Sequence, residues 1–274
     1  MNPAFPYRMA VFDMDGTLLG PDHKISAENR DALHRLRDAG VELVIASGRF
    51  QANIAEFEAR LGFSGWIISS GGAVVSHGGT GEIIHEITVP QDLALELFHR
   101  AREAGISLIG YHNTGIFCDA QTEWTRLYNR RTGQVPIADI PALIATGLQK
   151  LIWTTSAARI AELTPAMQQE YRGRLYAVNT EPETLEFLSP RVNKALALEV
   201  LATRLNISRE QVIAFGDGNN DIPLLEWAGM SVAMAHGQVA ARHAAKKVSP
   251  PGDPATAVAR SLTEYFHLPV STPS

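Results

Sequence analysis

An α/β fold, an open parallel sheet interrupted by an inserted α+β segment, is what the sequence predicts, from three observations. Short apolar runs stay unbroken where a half-exposed strand would alternate, which marks strands covered on both faces. Helical stretches follow those runs, the rhythm of right-handed crossovers. The middle of the chain breaks this rhythm with a glycine-rich turn and shorter strand-like runs flanked by prolines.

The first buried strand reads as Met9–Phe12. Ser26 is a fitting N-cap for the helix that follows, Leu33 and Leu36 share its inner face, and Gly40 stops it. The second strand covers Val41–Ala46 and a further one Trp66–Ile68. Ala73–Ser76 and Glu82–Val89, joined through His77-Gly78-Gly79-Thr80-Gly81, read as a hairpin. A helix over Leu93–Ala104 and strand-like runs at Leu148–Thr154 and Leu185–Leu188 follow, flanked by Pro165, Pro182 and Pro190. The parallel pattern resumes with a helix from Lys194 to Leu205 and strands at Val212–Phe215 and Ser231–Met234. The expected division is a core domain of residues 1–83 and 189–274 and an inserted α+β domain of 84–188. The tail Val270–Ser274 reads as disordered.

Composition narrows the function classes. With 274 residues, 45% of them hydrophobic, the chain can bury a sizeable core. A formal charge of −5 and no basic cluster longer than a pair argue against a nucleic-acid partner. The single cysteine, Cys118, excludes an internal disulfide and a cysteine-rich zinc site, and it reads as a small buried hydrophobe. No apolar run reaches the roughly 18 residues of a membrane span, and MNPAFPYR lacks a signal-peptide layout. The expectation is a soluble, cytoplasmic protein, monomer or homodimer, with no membrane partner.

In an open α/β sheet, ligands sit beyond the carboxyl ends of the strands. Asp13 and Asp15 follow the first strand, Ser47-Gly48-Arg49 the second, and Gly216-Asp217-Gly218-Asn219-Asn220-Asp221 the strand at Val212–Phe215. Four carboxylates on one rim repel one another unless a cation lies among them, and an all-oxygen set without His or Cys suits Mg²⁺. Ser47 and the Gly48 N–H can donate to a phosphate, and Lys194 at a helix start adds positive charge. One carboxylate of the first pair then attacks phosphorus and the other handles protons, through an aspartyl-phosphate. Taken singly, each piece has a plainer reading as a turn, a cap or a surface lysine. Their joint placement at strand ends and helix starts makes the case.

These residues resemble the haloacid dehalogenase (HAD) superfamily, in particular its Cof-type phosphatases. Asp13-Met14-Asp15-Gly16-Thr17 matches the first motif, Ser47-Gly48-Arg49 the second, and Gly216 to Asp221 the fourth. The resemblance implies a Rossmann-like core with a C2B-like α+β cap, and a Mg²⁺-dependent phosphatase acting on a small phosphorylated metabolite such as a sugar phosphate. It implies Asp13 as nucleophile and metal ligand, and Asp15 as general acid/base whose backbone carbonyl also meets the metal. Lys194 matches the lysine that neutralises nucleophile and phosphate, and Ser47, Gly48 and Asn220 match phosphate contacts. Asp217 matches a direct metal ligand, and Asp221 completes the metal set as a supporting acid that touches the ion directly or through another ligand. Three departures stand out: Ala195 replaces the usual glycine after the lysine, Ser70-Gly71-Gly72-Ala73 replaces an Asn-Gly-Ala stretch, and Gly252-Asp253-Pro254 stands where an acidic pair is usual.

A phosphomutase or phosphotransferase would use the same Asp13, and a non-catalytic phosphate-binding module would not need Asp15. Substrate choice is expected in the insertion, whose polar and aromatic residues include His112, Asn113, Trp124, Arg126, Tyr128 and Asn129. Trp124 and Tyr128, four apart, also suit a plain helix core.

Overall fold

The computed structural model describes residues 5–133 and 135–267; the Val270–Ser274 tail lies outside the described residues. In chain order come β1 (Met9–Asp13), α1 (Ala27–Asp38), β2 (Glu42–Ala46), α2 (Gln51–Arg60), β3 (Trp66–Ser69), β4 (Val74–His77) and β5 (Ile83–Glu86). Next are α3 (Gln91–Glu103), β6 (Ser107–His112), β7 (Gly115–Cys118), α4 (Glu123–Thr132), α5 (Ile140–Thr146), β8 (Lys150–Thr154), α6 (Ala157–Glu170), β9 (Tyr176–Glu181) and β10 (Thr184–Leu188). Last are α7 (Lys194–Arg204), β11 (Val212–Gly216), α8 (Ile222–Trp227), β12 (Met230–Ala233), α9 (Val239–Ala244), β13 (Lys247–Val248) and α10 (Ala257–Phe266). The chain divides into two compact units, Met1–His85 with Asn193–Ser274, and Glu86–Val192.

The first unit is built on an eight-stranded sheet in the order β13-β12-β11-β1-β2-β3-β4-β5. β1 pairs in parallel with β2 and β11, β2 with β3, and β11 with β12, while β4 returns antiparallel to β3. All five residues of β1 are buried because both faces are covered. Leu33 and Leu36 of α1, Ile54 of α2 and Leu262 of α10 pack on Ala10, Phe12 and Ile45. Ala197, Leu198 and Leu201 of α7 and Leu224 of α8 pack on Met9, Val11 and Val44 of the other face. Truncating one such buried leucine to alanine typically costs about 2–5 kcal/mol, so both layers fix the strand ends firmly.

Local chemistry sets the boundaries. Ser26 Oγ accepts from Asn29 N at 3.1 Å, and Gly40 adopts φ +78° just beyond α1. Val41, read as the first residue of the second strand, still donates its N–H to Leu36 O at 3.0 Å. The helix end holds it, and β2 begins one residue later.

The second unit carries an antiparallel sheet in the order β7-β6-β8-β10-β9. Leu108, Leu151, Trp153, Leu185 and Phe187 pack against Leu97 of α3, Ile144 of α5, and Ile160 and Met167 of α6. Pro165 does not flank a strand, as the sequence suggested, but lies inside α6. A helix-interior proline costs about 3 kcal/mol; burial of Ile160 and Met167 on the same helix offsets it. Tyr128 of α4 is buried while Trp124 is half-buried, and Cys118 is fully buried.

Candidate active site

Three chain segments meet at one group of charges. β1 delivers Asp13, 6% exposed, at its carboxyl end. Asn193 caps α7, its Oδ1 accepting from Leu196 N at 2.8 Å, and that fixes Lys194 as the first helical residue. Lys194 is 1% exposed, and its Nζ donates to Asp13 Oδ1 and, at 2.7 Å, to Asp221 Oδ1. Asp221 Oδ2 accepts from the N–H groups of Asp217, at 3.0 Å, and Gly218, at 2.9 Å. Thus Asp221 ties the loop after β11 to the lysine. Thr17 donates to Asp217 Oδ1 at 2.8 Å.

Two glycines are required by these approaches. Gly16 has φ +83°, and a Cβ there would stand 2.6 Å from Asp217 Oδ2. Gly72 has φ +110°, and a Cβ would stand 2.4 Å from the Asn193 carbonyl. The turn after β3, with Ser70 at φ +51°, therefore lies directly against the start of α7. Ser70, the departure from the usual Asn, fills a left-handed position that asparagine adopts more readily than serine.

Ser47 follows Ala46, the register partner of Asp13, and is buried. Its N–H donates to Ile68 O at 2.8 Å, and its Oγ accepts from Arg49 N at 3.2 Å. Gly48 and Asn220 are exposed, the latter on the short helical turn Asn219–Asp221. Asp15 departs from the cluster: its carboxylate is exposed and held by Arg49, and His23 stands beside it. His236 Nε2 lies 2.7 Å from Gly16 O.

Asp13, Asp217 and Asp221 bring carboxylate oxygens within 4.8 Å of one another. Burial pushes the Asp13 carboxyl well up, the Lys194 ammonium opposes this, and Asp221 and Asp217 add to the rise. Burial also raises Asp217, against the Thr17 hydrogen bond. Burial alone would lower Lys194, but Asp13 and Asp221 outweigh it and hold the ammonium above its ordinary value. Three carboxylates thus face one ammonium, and the surplus negative charge with an all-oxygen donor set fits a hard divalent cation.

The arrangement can hold a cation and present a carboxylate oxygen of Asp13 to an electrophile. Sequence reasoning assigned Arg49, Thr17 and His236 no task, and named His23 only within the flap Gly20-Pro21-Asp22-His23, the place to seek specificity should the insertion not carry it. Arg49 stood inside a quoted motif, and Thr17 followed the first carboxylate pair, so both had a local signal. His23 had only its place in the flap after the first motif, and His236 had no signal.

A family model for haloacid dehalogenase-like hydrolases matches residues 10–262. The HMP-PP phosphatase of Yersinia pseudotuberculosis is 29% identical over 231 residues, 84% of each chain. A haloacid dehalogenase-like hydrolase from Bacteroides thetaiotaomicron superposes with a TM-score of 0.85 at 27% identity, over 95% of this chain and 100% of that one. The HAD subclass IIB sugar phosphatase BT4131 superposes with a TM-score of 0.76 at 20% identity, over 94% of this chain and 98% of that one, which shows the fold. Fold, motif placement and the match along nearly the whole chain agree, and this protein belongs to the haloacid dehalogenase-like hydrolases.

Proposed function

We infer that the protein is a Mg²⁺-dependent phosphoric monoester hydrolase of small phosphorylated metabolites, sugar phosphates among them. The observation that carries this is the buried Lys194 bridging Asp13 and Asp221 beside Asp217. A nucleophilic carboxylate next to an ammonium, with uncompensated negative charge around it, suits attack on a phosphoryl group held by a cation.

Asp13 Oδ attacks phosphorus, the bond to the leaving oxygen breaks, and that oxygen takes a proton from Asp15. Water then attacks the aspartyl-phosphate, gives a proton to Asp15, and the Asp13–phosphorus bond breaks. Lys194 favours the ionised form of Asp13 against its burial and offsets phosphoryl charge, while Ser47, Gly48 and Asn220 orient the phosphate. Asp13, Asp217 and the Asp15 carbonyl would hold the cation. Asp221 is already engaged by three N–H donors and acts by holding Lys194 and its own loop. When bound, Mg²⁺ supplies neutralisation of the phosphoryl oxygens.

Among the described residues no helix is long and apolar enough to cross a membrane. A cytoplasmic location, a monomeric or homodimeric state and the absence of nucleic-acid and membrane partners are part of the same reading. A screen of sugar phosphates, nucleotides and p-nitrophenyl phosphate with Mg²⁺, ranked by kcat/KM, tests it. Turnover abolished by chelator is expected; hydrolysis of no phosphate ester would overturn it.

A further inference from the structure

Asp15 is the one proposed reacting group outside the buried cluster. Arg49 grips it with both prongs, Nε to Oδ2 at 2.8 Å and Nη2 to Oδ1 at 2.5 Å. His23 Nδ1 stands 3.6 Å from Oδ1. It sits at φ +58° in a turn closed by its N–H on Gly20 O and by Gly20 N on Lys24 O. These side chains are open to water, 38% for Arg49, 43% for Asp15 and 76% for His23.

A carboxylate gripped at both oxygens is acceptor-only. To hand a proton to a leaving oxygen, Asp15 needs one oxygen clear of the guanidinium and carrying O–H. The grip must therefore open during turnover. Water screens an ion pair this exposed, and its guanidinium fork matches any carboxylate or phosphate bidentately, so another anion can take it over. A second anion at this rim is the natural exchange partner.

Resting on the phosphatase reading, we propose that Arg49, with His23 beside it, is a specificity residue that binds a second anionic group, carboxylate or phosphate, on the leaving part of the ester. The exchange forms and breaks only hydrogen bonds; it moves the guanidinium from Asp15 to the substrate and frees Asp15 for proton transfer. An ester with a neutral leaving alcohol offers Arg49 no such exchange partner, so the grip on Asp15 opens less often and turnover is slower.

The test measures kcat/KM with Mg²⁺ for two matched pairs, glycerol 3-phosphate against 3-phosphoglycerate and fructose 6-phosphate against fructose 1,6-bisphosphate. The pairs separate carboxylate from phosphate as the second anion. The wild type is expected to favour the doubly anionic member of at least one pair by about tenfold or more. Arg49→Gln should bring that ratio near one, Arg49→Lys should retain part of it, and His23→Gln should reduce it. Kd values of the same esters for the Asp13→Asn protein should show the same preference without turnover. No preference in either pair, or an equal loss for both members in Arg49→Gln, would overturn the inference while leaving the phosphatase reading intact. Hydrolysis of no ester, p-nitrophenyl phosphate included, would sink the phosphatase reading and this inference with it.

Discussion

Both units bury charged side chains, and they do so in opposite ways. In the first, Lys194 meets Asp13 and Asp221 with Asp217 nearby, so carboxylates outnumber ammonium. In the second, Lys150 donates to Glu186 at 2.9 Å and lies 4.4 Å from the Tyr111 ring centroid. Tyr111 and Tyr128 share a hydroxyl hydrogen bond of 2.7 Å, and Thr180 donates to Glu186 Oε1 at 2.8 Å. Each charge there has its opposite. Burying charge is costly unless it is paired; the balanced network supports a fold, whereas the imbalanced one is poised for a charged ligand. Perturbed groups concentrate at functional sites for this reason.

The largest expected effect comes from the imbalanced cluster. Asp13→Asn keeps shape and removes the attacking charge, so turnover of p-nitrophenyl phosphate should fall by roughly 10⁴-fold or more. Because it also removes surplus negative charge, the thermal midpoint of the metal-free variant should not fall. A variant as active as the wild type would break the comparison at its centre.

Next comes Asp15→Asn, whose loss should be about 10²–10⁴-fold on alkyl phosphates and smaller on p-nitrophenyl phosphate, whose leaving group needs little protonation. An equal loss on both would show that Asp15 acts through structure alone.

In the balanced network, Lys150→Ala removes a buried cation and leaves the half-buried Glu186 without its partner, and should cost about 2–4 kcal/mol of stability. The double variant Lys150→Met/Glu186→Leu should recover most of that. Denaturant unfolding of the two variants and the wild type provides the check; equal destabilisation in single and double variants would show that pairing is not what matters.

Glu58 sharpens the contrast: it is fully buried, and among the described residues Oε1 has no partner and Oε2 accepts from Gly65 N at 3.1 Å. Burial pushes its carboxyl up to about 7, against the Gly65 hydrogen bond. The folded state therefore prefers the protonated form. Below the ordinary value of 4.5 both states are protonated and nothing is lost; the cost grows as pH rises and is complete above about 7. At about 1.4 kcal/mol per pH unit it amounts to roughly 3 kcal/mol. Glu58→Gln should thus gain on the wild type between pH 5 and pH 8 in denaturant midpoints, and a difference independent of pH would refute the assignment.

Several features were legible residue by residue. The unbroken apolar runs marked the parallel strands because covering both faces demands it, and Ser26 and Gly40 marked the ends of α1 through a side-chain acceptor and a left-handed backbone. Asp13, Lys194 and Asp217 were legible because each stands at a strand end or a helix start. The helix α2 was missed because Phe50 offers no side-chain cap, and α6 because Pro165 argues locally against it.

What the amino-acid order determined on its own is therefore local: period, caps, turn glycines, and which residues end each strand. Tertiary structure alone decided the partners. Thr17 reaches Asp217 across 200 residues, Lys194 reaches Asp13 across 181, and Arg49 takes Asp15 across 34. Local rules extend over a few residues because backbone geometry and short hydrogen bonds do. Which charges end up sharing a dry space, and whether they balance, depends on how sheet order brings distant strand ends together, and only the folded chain specifies that.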